Sequence, residues 1–471
     1  MLFIFWTTLT FFLSLWIINP GNYFVAAGFI GLIIVYYYRT KDFRKSLLLA
    51  YLASTIVFTG KRYPIELIPP GIIPKEIFPE GYMAFFVISP KHILASLMVF
   101  VWLRDLIRKG MSFIKVTKVD LLVLGFFLLI IISGFFGSKR PDISSLFDFL
   151  GLHTLIFYFY LRTYIAKYSH YFLALLIGLF AALILFESLI SFQQFIAGSP
   201  IYKSIEVQVD IELFGRASDE QEFAFRPVGT FEHANILGMW LSFWLIVLFS
   251  YLYKNSHKLY WLVTLFGIVT LVMSLSRSAW LGFGIGTLYL LYGFEKIKKI
   301  KPPQILAKNS WVLLLAALIL FAFFVLPRTE KSLYTLSEGG GAFRFLQIEE
   351  TIGLIRQNPL FGVGTLMSVS EGLAIYPLGI YSTVALSVHN WYLLIAAENG
   401  LSALVIFMVF LIISLRKNIL SFLKHKLVTT ADHLKLGFLG GVLSLMIVGL
   451  FQPFIGEILI LLSFAIMGQD S

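Results

Sequence analysis

The sequence predicts an all-α polytopic membrane protein, and three observations carry that expectation. Of its 471 residues 58% are apolar and 17% aromatic, while only 13% are charged; soluble domains usually carry about 25% charged residues. Apolar segments recur along the whole length at membrane-span size. Lys and Arg are distributed unevenly between the two sets of connections that alternate spans create. Mean hydropathy is +0.85. The absence of cysteine excludes a disulfide framework, thiolate chemistry and Cys-ligated metal sites.

Apolar segments lie near 2–18, 22–38, 46–59, 84–103, 119–137, 148–166, 171–195, 231–253, 260–275, 279–293, 310–326, 389–415, 436–452 and 455–468. Several are shorter than the ~20 residues that cross a bilayer core, so about 12 to 14 transmembrane helices are expected, with a pair or two re-entrant. The first run has no basic n-region and no small-residue cleavage site, and reads as a span and not as a removed signal. The stretch from Pro64 to Pro90, around the third and fourth segments, is the hardest to assign. With both termini placed in the cytoplasm, 23 of the 37 Lys and Arg fall inside and 14 outside, and the clusters RTKDFRK and KIKKIK lie on the inner side. This follows the positive-inside rule. The whole chain, 1–471, is expected to form a single integral membrane domain without internal repeats.

Two outer connections are too long for turns: a first large periplasmic loop, 196–230, and a second, 327–388. In the second, Phe345, Ile348, Ile352 and Ile355 recur at helical spacing until Gln357-Asn358-Pro359 breaks the pattern. An amphipathic helix on the outer membrane face is predicted there, followed by the turn Phe361-Gly362-Val363-Gly364. Long loops on a rigid scaffold are common homes for active sites.

Polar residues gather at this outer face. Arg277 stands in Ser274-Leu275-Ser276-Arg277-Ser278-Ala279-Trp280, a short polar break between two apolar segments. So close to hydrocarbon, an arginine either snorkels or binds an anion. Arg344 leads the predicted loop helix, where a solvated helix face is the plain alternative. His389 and Asn390 sit where the loop turns into a span; the free N–H groups of a helix start disfavour imidazolium and keep a histidine able to accept a proton. Glu398, in Glu398-Asn399-Gly400, and Glu187 are carboxylates inside spans, which either pair with a cation or line a cavity. Arg226 opens Arg226-Pro227-Val228-Gly229-Thr230-Phe231-Glu232-His233-Ala234-Asn235, part of which reads as helix capping, with Asn235 about one turn inside. Asp210 and Glu212 have the spacing of a metal-holding acidic pair but lie in a loop dense in acids, and read as solvated.

The order of these motifs, Arg-Pro-x-Gly-Thr-Phe, then Ser-Arg-Ser-Ala-Trp, then an Arg-led helix closing on Asn-Pro-Leu-Phe-Gly-Val-Gly, then His-Asn-x-Tyr-Leu with Glu-Asn-Gly, resembles the O-antigen ligase and O-antigen polymerase superfamily over about 226–400. The resemblance implies a GT-C-type, metal-independent, inverting glycosyltransferase of the bacterial inner membrane, with its active site periplasmic and no cofactor. The implied donor is an undecaprenyl-diphosphate-linked glycan and the implied acceptor lipid A–core, with membrane lipid as surroundings and no nucleic acid. It places the essential arginines on Arg277 and Arg344 and the catalytic histidine on His389, with Arg226 as a third diphosphate-binding cation and Asn235, Asn390 and Glu398 as possible cavity residues. Lipopolysaccharide biosynthesis by a ligase is the leading expectation. A polymerase extending the carrier-linked glycan and a protein O-oligosaccharyltransferase would share the site. A metal-dependent enzyme of the same architecture, which would hold its ion with Asp210 and Glu212, and a lipid or polysaccharide transporter with arginines along its path are weaker readings.

Overall fold

The computed structural model describes residues 1–19, 22–56, 61–68, 82–110, 116–165, 170–199, 226–231, 233–255, 257–298, 340–383, 386–424, 429–453 and 457–467. The architecture is an all-α polytopic bundle. Helices α1 (Leu2–Ile18), α2 (Asn22–Thr40), α3 (Phe43–Ser54), α4 (Pro90–Lys109), α5 (Lys118–Phe136), α6 (Pro141–Ile165) and α7 (His170–Ala197) form the first half. Then come α8 (Ala234–Lys254), α9 (Lys258–Met273), α10 (Arg277–Lys298), α11 (Gly340–Gln357), α12 (Ser368–Ile375), α13 (Ile380–Thr383), α14 (Trp391–Lys424), α15 (Thr430–Gly449) and α16 (Glu457–Met467). Seven helices among the described residues are long and apolar enough to cross a membrane, and α1 and α9 are shorter apolar helices. The apolar segment near 310–326 lies outside the described residues, as do most of the 196–230 loop and the Asp210–Glu212 pair.

One departure from an all-helical chain falls in the stretch that the sequence left hardest to assign. Strands β1 (Lys61–Ile68) and β2 (Tyr82–Ile88) pair antiparallel, Lys61 opposite Ile88. The predicted span at 84–103 therefore starts later, at Pro90. Ser89 and His92 form a capping box around Pro90 at the first helical position, where the missing N–H would have had no intrahelical acceptor.

The core is built around α8, nearly every residue of which is buried from Leu237 to Leu252. Its neighbours α10 and α15 approach each other through small residues. A Cβ at Gly282 would lie 2.7 Å from the Ser444 carbonyl and one at Gly286 would lie 2.6 Å from the Gly440 carbonyl. Close backbone contact of this kind drives helix association where surrounding lipid offers no hydrophobic gain.

Long α14 is two helices joined at a break, because Gly400 has φ 84° and ψ 163°. In an unbroken helix the Ala397 and Glu398 carbonyls would accept from the amides four residues on. Here they accept from Val363 N at 2.9 Å and Gly364 N at 2.8 Å, while Leu401 N donates to Pro359 O at 2.8 Å. The Ser133 hydroxyl of α5 reaches the Glu398 carbonyl at 2.7 Å. The turn after α11 is thus plugged into the break in α14. Only glycine suits position 400: its φ is left-handed, and a Cβ would lie 2.1 Å from the Leu360 carbonyl.

Candidate active site

Four segments meet at the end of the bundle where α8, α10 and α14 begin. The first is the chain from Arg226 to Thr230, which docks on α7. Gln194 accepts from Val228 N at 3.0 Å and Gly229 N at 2.9 Å, and donates to Gly229 O at 2.8 Å. Glu187 accepts from Thr230 N at 2.9 Å and Thr230 Oγ1 at 2.6 Å. The buried carboxylate of α7 thus anchors this loop end. Held there, Arg226 donates to the Ser274 carbonyl at 3.1 Å and to Asn235 Oδ1 at 2.8 Å.

The second segment is the turn between α9 and α10. Leu275 takes a left-handed backbone with φ 50°, a conformation costing on the order of 1 kcal/mol or more for a non-glycine residue. That turn ends α9, offers its carbonyl to Arg226, and lets α10 begin at Arg277, whose side chain is exposed.

The third segment is α11. Its buried stripe is Gln347, Thr351 and Leu354, while Phe345 and Ile352 are exposed. Its outer face carries both apolar Phe345, Leu346 and Ile352 and charged Arg344, Glu349 and Arg356, a mixture that suits a helix lying at a membrane surface. Arg344 sits one turn before Gln347 and its side chain opens to the surface. Desolvation by the protein around it, and then the charge of Arg277, pull its pKa below the ordinary guanidinium value. The two arginines therefore stand in each other's field. Neither Arg277 nor Arg344 has a carboxylate partner among the described residues. Two like charges left uncompensated favour an anion between them.

The fourth segment leads into α14. Asn390 caps that helix, accepting from Leu393 N at 3.0 Å, and its amide donates to Leu450 O at 3.3 Å. Half-buried His389 makes two contacts with one oxygen of Gln347, through its backbone N at 3.3 Å and through Nδ1 at 3.2 Å. Desolvation first, and then the charge of Arg344, push its pKa down to about 4. At neutral pH the ring is uncharged and can accept a proton. Glu398 lies deeper, under the turn that fills the break in α14, and accepts from Ser368 Oγ at 2.7 Å. Nearby, Asn399 donates to Thr365 Oγ1 at 3.1 Å.

Arg277, Arg344 and His389 are thus gathered at one place, with Arg226 and Asn235 alongside. Asn390 is occupied in capping, and Glu398 in holding the turn. Two residues join them that motif reading did not single out as candidates. His233 caps α8 by accepting from Asn235 N at 3.0 Å, and desolvation together with Arg226 and His389 pushes its pKa down to about 4. Gln347 gave no signal of its own; its position three residues after Arg344, hence on the same helical face, is the one clue the sequence holds. Among the described residues no three His, Asp or Glu side chains group to hold a metal ion.

Residues 262–408 match the family model described as O-antigen ligase. No curated protein matches the chain. The matched segment contains Arg277, Arg344, Gln347 and His389, stops short of Arg226 and Asn235, and supports the O-antigen ligase superfamily for this multi-pass membrane protein.

Proposed function

We propose that the protein is an O-antigen ligase. It transfers a glycan from undecaprenyl diphosphate to the lipid A–core acceptor at the periplasmic face of the bacterial inner membrane, with both termini cytoplasmic. One observation carries this reading: two arginines in each other's field, without a carboxylate partner among the described residues, beside a histidine kept neutral by its surroundings.

The chemistry follows from that set. A glycosyl diphosphate brings its own leaving group, so the main task is to compensate the charge that develops on it. Planar guanidinium forks bind phosphate oxygens in bidentate fashion and do so without a metal ion. His389 takes the proton of the acceptor hydroxyl as its oxygen bonds to the anomeric carbon. The bond from that carbon to the diphosphate oxygen breaks on the opposite face, so configuration inverts. Undecaprenyl diphosphate leaves with the electron pair, and the proton rests on His389 until it is lost to solvent. Arg226 adds a third cation at the edge of the diphosphate site.

The test offers purified protein an undecaprenyl-diphosphate-linked glycan with lipid A–core and, in parallel, a second carrier-linked glycan, all in EDTA. A single glycan-bearing lipid A–core product, absent from His389→Ala, is the expected result. A ladder of lengthened carrier-linked glycan would make the protein a polymerase with the same residues. Transfer abolished by EDTA and restored by a divalent cation would contradict the metal-free mechanism.

A further inference from the structure

We propose that Gln347 is the positioning residue for His389: it fixes the ring, sets its tautomer and leaves Nε2 as the atom that meets the acceptor hydroxyl. The last clause rests on the function proposed above, and the tautomer does not.

The argument begins with an amide that has no freedom to turn over. Gln347 is fully buried on α11. Its Nε2 donates to the Leu386 carbonyl at 2.7 Å and to the Ser387 carbonyl at 3.2 Å. Both are acceptors only, so the NH2 group must lie on that side and Oε1 on the other. Oε1 in turn faces the backbone N and the ring Nδ1 of His389. A carbonyl oxygen cannot donate, so the hydrogen in the ring contact belongs to Nδ1. A neutral imidazole has one N–H, which leaves the lone pair on Nε2.

The choice of an amide also has a consequence for charge. A carboxylate at 347 would orient the ring equally well but would favour imidazolium and partly neutralise Arg344. The charged and titratable groups that act on His389 are Arg344 from α11 and His233 from the start of α8. A neutral orienting group leaves the cationic field intact for the diphosphate and keeps the base unprotonated. The same side chain also ties the loop before α14 to the helix that carries Arg344, so the base and the anion site are held at a common spacing.

The experiment uses full-length protein and the variants Gln347→Met and Gln347→Glu. Met matches the length of Gln with neither donor nor acceptor. It should lower kcat roughly 10–100-fold, the range typical of a lost orienting partner, and also lower the thermal midpoint, because the Leu386 and Ser387 carbonyls lose their donor; the tautomer and the pH profile separate positioning from this structural loss. Glu should move the acid limb of kcat/KM upward by on the order of one pH unit or more. Nitrogen-15 NMR of histidine-labelled protein, with His389 assigned from its Ala variant, reads the tautomer without turnover. The proton should be on Nδ1 in wild type and redistributed in Gln347→Met. A wild-type proton on Nε2, a Met variant with full kcat, or a Glu variant with an unshifted acid limb would overturn the proposal. A wild type that transfers nothing would instead count against the function, and the NMR result would still decide the tautomer.

Discussion

At one end of the bundle, buried carboxylates hold the arginines. Arg162 donates to Asp120 at 3.1 Å with Tyr158 at 2.6 Å on the same carboxylate, and Arg44 donates to Asp105 at 2.8 Å with Tyr164 at 2.8 Å. At the other end Arg344 lies within the field of Arg277, and neither has a carboxylate partner among the described residues. The same helix joins the two regions, since Asp120 lies in the first turn of α5 and Ser133, thirteen residues and about 20 Å further on, braces the turn after α11. Paired charges in the membrane hold helices together, and the cost of unpairing them falls on stability. Arg277 and Arg344 are exposed and make no such pair among the described residues, which leaves their guanidinium groups available to an anion. The contrast is between arginines that tie helices together and the two proposed to bind the diphosphate.

Substitutions can break the comparison in either direction. The largest effects belong to the unpaired end. His389→Ala should lower transfer about 10²–10⁴-fold, and Arg277→Ala or Arg344→Ala about 10²–10³-fold, each with normal membrane insertion; a glycan-transfer assay on purified protein reads all three. Next comes Gly400→Ala, which forces a side chain against the Leu360 carbonyl and should loosen the docking of α11, lowering both transfer and thermal midpoint. Arg344→Lys should cost about 10–100-fold in rate, since a point charge replaces a fork and one charge-assisted hydrogen bond is lost. At the paired end, Asp120→Asn should reduce stability by about 3 kcal/mol while the specific activity of the surviving protein stays at wild type. The comparison fails if Asp120→Asn lowers kcat as much as Arg344→Ala does.

A pH profile sharpens the same contrast. His389 is held well below the ordinary histidine range, at about 4, so kcat/KM should be level through neutrality. It should fall only as pH drops through about 4, when the free enzyme's base takes up a proton. A limb near 6.5 would mean that the ring is neither desolvated nor in the field of Arg344.

Much of this was legible in the sequence, for identifiable reasons. The apolar segments and the polar breaks between them announce helices, and Arg277 and His389 stand where a span begins, so motif order brought them together with Arg344. Capping was legible only in part: the stretch from Arg226 to Asn235 read as helix capping, whereas Asn390, read as a cavity residue, caps α14, and the span read from 84 starts at Pro90. The interlock of the turn at 359–364 with the break at Gly400 was not, because it joins two segments distant in sequence through backbone atoms alone. Glu398 and Glu187 read as candidates because a carboxylate in a span demands a partner. The partners found are hydroxyls and backbone amides, Ser368 for one and Thr230 for the other, and nothing in the local sequence distinguishes those from a cation. Gln347 was hidden for the opposite reason, since a neutral amide in a helix raises no question until its neighbours are known. The ribbon of β1 and β2 lay in a stretch whose prolines blur both periodicities.

The most direct measurement separates anion binding from proton removal. Undecaprenyl diphosphate, titrated into purified wild type, Arg277→Ala, Arg344→Ala and His389→Ala, should bind to wild type and to the histidine variant with similar Kd and much more weakly to both arginine variants. Arginine variants that bind as tightly as wild type, or a histidine variant that loses binding, would contradict the division of labour between the unpaired arginines and the neutral base.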